Sequence, residues 1–94
     1  MVTNTSSFIY AHRLRKSLEH DRSVHLLSVR EVPFGARAAT RLDFRRGRLH
    51  QTVFVVDDEG HAIHIQADVP QASYPGLAGF LNRFGDYFGF VDID

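Results

Sequence analysis

The chain reads as a single α+β domain: a helix, a four-stranded antiparallel meander and a second helix. Three observations predict this. Residues 36–69 alternate with period two in three runs separated by glycine turns. Apolar residues recur at helical spacing on both sides of that stretch. The 94 residues contain no cysteine, no internal repeat and no linker, so one ordinary core has to serve the whole chain.

The first helix is expected over about residues 7–20, capped by Ser6 or Ser7. Tyr10, Ala11, Leu14 and Leu18 form a narrow stripe, with His12, Arg13, Arg15 and Lys16 largely off it. Such a helix lies on the domain surface with a basic outer side. Glu19 and Asp21 interrupt the charge and the apolar stripe is thin, so membrane binding is not expected, and no run approaches the length of a membrane span.

Asp21-Arg22-Ser23 reads as a turn and residues 24–32 as a strand with apolar residues on both faces. Two registers stay open. With Pro33-Phe34-Gly35 as a three-residue loop, Val32 opposes Ala36, Leu26 joins Leu42 in the core, and His25 falls beside Asp43. A two-residue loop would instead turn Leu27 and Val29 inward.

The next strand, about 36–45, puts Ala36, Ala38, Thr40, Leu42 and Phe44 on one face and Arg37, Ala39, Arg41, Asp43 and Arg45 on the other. Arg46-Gly47 supplies a two-residue turn into a strand over 48–57. Asp58-Glu59-Gly60 reads as a three-residue loop with a left-handed glycine, and the last strand runs 61–69 before Pro70. These turns stack Phe44, Leu49 and Val69, then Leu42, Gln51 and Ala67, then Thr40, Val53 and Ile65 on the apolar face. The opposite face carries Asp43, His50 and Asp68, then Arg41, Thr52 and Gln66, then Ala39, Phe54 and His64.

The second helix is expected over about 75–88, with Pro75 in its first turn. Leu77, Phe80, Leu81, Phe84 and Phe88 form the face that should cover the apolar side of the sheet. Gly79 and Gly85 signal a close backbone approach or an end near Gly85. Phe90 and Val91 are expected to pack, and Asp92 and Asp94 to form an acidic tip.

Charge is balanced overall but not along the chain. Residues 1–50 hold ten Lys and Arg against four acids, whereas residues 51–94 hold one base against seven acids. Such asymmetry suits an anionic partner at one end, or a second copy. The lack of cysteine excludes thiolate metal sites and cysteine nucleophiles and fits a reducing, cytoplasmic setting.

Three groupings could carry function. The row Asp43, His50 and Asp68, joined by His25 in the first register, could offer nitrogen and oxygen ligands to a metal or orient His50 for acid/base work. A cross-strand ionic ladder explains the same residues without chemistry. The arginines Arg37, Arg41 and Arg45 around Phe54 resemble a phosphate-tracking surface with a stacking platform for single-stranded nucleic acid. Finally, Ala39, Phe54, Val56 and Ala62, joined by Leu27 and Val29 in the first register and rimmed by Asp and by Arg37, Arg41 and Arg45, make an apolar patch suited to a protein partner or a homodimer. No phosphate loop, nucleophile motif or cofactor signature is present, and no cofactor is expected. The leading expectation is therefore a non-enzymatic interaction or regulatory domain. Single-strand binding is second, and an enzyme built on the His/Asp row is third.

Overall fold

The computed structural model describes residues 2–3 and 6–87. Its elements are β1 (Val2–Thr3), α1 (Ser7–His20), β2 (Val24–Phe34), β3 (Arg37–Arg46), β4 (Leu49–Asp58), β5 (His61–Pro70) and α2 (Tyr74–Asn82), with short 3₁₀ turns at Gln71–Ser73 and Phe84–Tyr87. The helix, four-strand meander and helix stand as the sequence predicts. The polar N-terminal stretch adds a two-residue strand, so the sheet order is β1-β5-β4-β3-β2, every pair antiparallel.

All three long hairpins close through two-residue loops, and this corrects the expected registers. Gly47 takes φ +60 as the first loop residue, so Arg46 pairs with Leu49 and the strands slide by two residues relative to expectation. A slide of two keeps every side chain on its face. Between β4 and β5 the loop is Glu59-Gly60, both at positive φ (54 and 87), and Asp58 pairs with His61. That is one residue tighter than expected, so β5 is turned over. Ala62, His64, Gln66 and Asp68 now share a face with Leu42, Phe44, Val53 and Val55, while Ile63, Ile65, Ala67 and Val69 lie opposite.

Between β2 and β3 the loop is Gly35-Ala36, with Gly35 at φ +60, and Pro33 and Phe34 belong to the strand. Val29 turns inward to oppose Leu42, as the two-residue alternative requires. Leu27 does not follow, because a bulge between Leu26 and Ser28 displaces it to the surface.

Two cores result, one on each face. On the first face, α1 packs Ala11 and Leu18 against Leu42, Phe44, Val53, Val55 and Ala62, with Tyr10, Leu14, Val24, Leu26 and Val29 around them. On the second face, Phe34, Ala39, Phe54 and Val56 are buried with Val32, Ile63, Ile65 and Phe84. The central strand β4 therefore carries seven consecutive buried residues, His50 to Val56.

The covers are exchanged relative to expectation: α1 lies on the Leu42 face and the C-terminal segment on the other. α2 also ends at Asn82, short of the expected 88, and the chain turns at Arg83 into a 3₁₀ turn. Gly85 explains the close fit there, since a Cβ on it would stand 2.6 Å from the Phe34 Cα. Of the described part of the expected α2 face, Leu81 is buried and Phe84 packs partly buried against the second core, while Leu77 and Phe80 are exposed. Phe88, Phe90, Val91, Asp92 and Asp94 lie outside the described residues.

Candidate functional site

Beneath α2, the second face gathers a polar cluster around Asp43. Arg41 donates from Nε to Asp43 Oδ2 (2.8 Å) and from NH2 to Oδ1 (3.2 Å), a bidentate pair with both side chains almost wholly buried. Oδ1 also accepts from Thr52 Oγ1 at 2.8 Å and meets His50 Nε2 at 3.0 Å, and Ser28 Oγ approaches Oδ2 at 3.4 Å. Arg41 reaches onward to α2, donating to Asn82 Oδ1 at 2.8 Å and to the Tyr74 hydroxyl at 3.4 Å. Its guanidinium carbon stands 5.5 Å from the Phe54 ring centre.

Burial would raise the Asp43 carboxyl. Hydrogen bonds from Arg41, His50 and Thr52, together with the Arg41 charge, outweigh it and hold the group below the usual carboxylate range. The cluster is thus an ionised carboxylate enclosed by donors that belong to the protein. A general base needs a face turned to substrate, whereas the His50 ring is 5% exposed and is covered by Tyr74. The arrangement joins α2 to the sheet.

The expected His/Asp row is divided. Asp43 and His50 meet as diagonal neighbours, but Asp68 lies on the first face, bonded to Gln51 (3.1 Å) and Gln66 (2.8 Å). His25 pairs across from Arg45 rather than Asp43, because Ser28 takes that position. Among the described residues no group of three His, Asp or Glu side chains is placed to share a metal ion.

The expected interaction patch is not one exposed surface either. Ala39, Arg41, Phe54 and Val56 are buried under the C-terminal segment. Arg37 pairs with Asp58 at 3.0 Å, Val29 packs toward α1 on the other face, Leu27 stands out on the bulge, and Arg45 is exposed at the strand end.

An open surface does exist on the first face. One helix about 10 Å wide cannot cover a sheet whose strands are about 4.8 Å apart and whose long strands number four. α1 crosses it obliquely: Ser7 donates to Asp57 Oδ1 on β4 (3.1 Å), the Tyr10 hydroxyl meets His64 Nδ1 on β5 (2.6 Å), and the C-terminal end turns at Asp21–Ser23 into β2. Two corners are left. One is polar, a hydrogen-bonded chain of His64, Gln66, Asp68 and Gln51. The other is a groove between α1 and the β2–β3 hairpin, with a hollow of about 340 Å³ lined by Ser7, Phe8, Glu31, Ala38, Thr40 and Val55. A smaller hollow of about 130 Å³ continues it past Ala11, His12, Arg15 and Val29.

Phe8 stands at the rim with 78% of its surface exposed, and Ile9 beside it is 44% exposed. Its signal was present in the sequence. Phe8 lies to one side of the Tyr10, Ala11, Leu14 and Leu18 stripe, in line with His12 and Arg15 on the polar flank. The α1 wall carries His12 and Arg15, the latter paired with Glu19, and the sheet wall carries the carboxylates Glu31 and Asp57.

Comparison with family models, with curated proteins and with solved structures finds no match to this chain. Among the described residues no helix is long and apolar enough to cross a membrane.

Proposed function

We propose that this chain is a non-enzymatic protein-interaction domain that pairs with a second copy of itself through the groove on the first face. The observation that carries this is Phe8, a large ring held out at the rim of a hollow floored by Ala38 and Val55 and edged by Glu31, Thr40 and Asp57, which α1 leaves uncovered. A twofold arrangement would seat the Phe8 of each copy in the groove of the other. It would also bring Arg15 on α1 of one copy toward Glu31 and Asp57 of its partner. A buried aromatic surrounded by complementary charge is the usual anatomy of an interface anchor. The cysteine-free composition fits a cytoplasmic setting for such a domain.

The test is the mass in solution, by light scattering after size exclusion over a dilution series, for the wild type and for Phe8→Asp. The wild type is expected to run as a dimer that dissociates on dilution. Phe8→Asp is expected to run as a monomer, with the melting temperature that the wild type shows at dilutions where it too is monomeric. A wild type that stays monomeric at every concentration, or a dimer indifferent to Phe8→Asp, would remove the proposal.

A further inference from the structure

The loss of Arg41 and Phe54 to the interior takes away the arginine-lined sheet face that the sequence suggested for nucleic acid. Cationic charge instead collects at one end of the strands. The α1–β2 turn and the β3–β4 turn lie side by side there, since Val24 pairs with Arg46 and the Arg46 guanidinium bonds Asp21 (3.3 Å) and Ser23 (3.1 Å). Asp21 is the only carboxylate in these two turns, and it is engaged by Ser23 and Arg46. Arg22, Arg45 and Arg48 are exposed around it and form no ion pair among the described residues, and His25 lies across from Arg45.

The helix continues this charge. Arg13 and Lys16 are exposed on α1 one turn apart, and Glu19, the carboxylate nearest them in sequence, is already paired with Arg15 at 2.8 Å. Five cations thus run from the outer side of α1 around the end of the sheet. Of the acids of the β4–β5 hairpin, Asp57, Asp58 and Glu59 sit at its turn, at the opposite end of strands ten residues long, whereas Asp68 lies near the basic end, across from Gln51 and bonded to Gln51 and Gln66. The turn is about 30 Å away by strand rise, several Debye lengths at physiological salt, which is about 8 Å. A partner at the basic end experiences that end and not the net charge of zero.

We propose that this basic end binds the phosphate backbone of nucleic acid without reading its sequence. Guanidinium groups match phosphate oxygens two at a time, and a backbone contact needs no apolar centre. An acidic protein partner would need such a centre, and the end offers the edge of Leu49, 38% exposed, with Leu27 standing apart on the β2 bulge, 44% exposed. No described Phe or Tyr ring is exposed there for bases to stack upon, only the imidazole of His25, so affinity should come chiefly from phosphates.

The experiment is fluorescence anisotropy with a labelled oligo-dT probe, titrated with the whole chain at several salt concentrations. Three to four phosphate contacts predict that affinity falls by about 20- to 50-fold between about 50 and 200 mM salt. The double variant Arg45→Ala/Arg48→Ala should flatten the log–log salt slope by about 1.4, at about 0.7 per lost contact. Arg30→Ala, an exposed arginine away from this end, should leave affinity and slope unchanged. The proposal is overturned by an absence of binding at low salt, or by an Arg30→Ala loss equal to that of the double variant. Polyglutamate that competes as well as unlabelled oligo-dT would likewise overturn it, pointing to an acidic protein segment. Duplex DNA that binds as well as the single strand supports it, because both present the same phosphates.

Discussion

The His50 ring lies flat on the Tyr74 ring, centroids 3.5 Å apart and planes 13° from parallel. The contact joins the central strand to the first residue of α2, and Asp43 fixes the imidazole at its edge through Nε2 at 3.0 Å. A short helix with two exposed apolar side chains is thereby held by polar and ring contacts more than by its own apolar face.

The Arg41–Asp43 pair should behave as a buried ion pair. Removing one member leaves the other charged and enclosed, so Asp43→Ala or Arg41→Ala is expected to cost about 3–5 kcal/mol in urea denaturation. Replacing both together, as Arg41→Met with Asp43→Leu, should recover most of that loss. A single substitution costing under about 1 kcal/mol would show that water reaches the pair.

Acid should weaken the fold through the same carboxylate. The folded-state value of Asp43 lies below its unfolded value of about 3.9, so its contribution is fully present above that pH. The contribution is then lost as pH falls through the folded value. Asp21, lowered by its bonds to Ser23 and the charge of Arg46, acts with the same sign at the surface. Denaturation midpoints followed from about pH 5 to about pH 2 should therefore fall, and less steeply in Asp43→Asn. An equal slope in that variant would assign the acid sensitivity to other groups.

Two glycines of the C-terminal segment should respond oppositely to alanine. At Gly85 the new Cβ would press on the Phe34 Cα (2.6 Å) and Cγ (2.9 Å), so Gly85→Ala should destabilise by about 1–3 kcal/mol. At Gly79 nothing lies within 4 Å, and Gly79→Ala should stabilise α2 by about 0.5–1 kcal/mol. Thermal melts of the two variants side by side check the pair. Shifts of the same sign would contradict the packing described for Phe34.

Glu59 is the one described residue other than glycine at positive φ, 54°. Left-handed backbone costs a side-chain-bearing residue about 1–2 kcal/mol, which glycine avoids. Glu59→Gly should therefore raise stability by up to about 1 kcal/mol, allowing for the greater freedom of the unfolded glycine. A lower midpoint in chemical denaturation would argue against the two-residue turn.

The existence of both helices and all four long strands was legible in the sequence, as were the faces of β3 and β4, because alternation there is strong. The turning of β5 was not. β4 is buried on both sides from His50 to Val56, so the apolar residues Ile63, Ile65 and Val69 found a core on either face, and alternation could not choose between them. The choice rested on whether Glu59 would accept a left-handed backbone, which its chemistry disfavours. Asp43 with His50 was legible from spacing alone. Tyr74 and Asn82 were not, since they arrive from a helix over twenty residues beyond His50 in the chain. Arg41 and Asp43 alternating between Leu42 and Phe44 could have suggested a shared burial.

The bulge at Leu27 has a bearing on how the protein behaves when crowded. β2 is an outer strand eleven residues long, the kind of open edge on which other chains readily extend a sheet. Its ladder is broken at Leu26/Ser28, it carries exposed Arg30 and Glu31, and Pro33 has no amide hydrogen to offer. The opposite edge is covered in part by Val2–Thr3 pairing with Ala62 and Ile63. An incoming strand meets a twisted, charged and donor-poor border, so edge-on polymerisation into cross-β aggregates is resisted by the same irregularity that displaces Leu27.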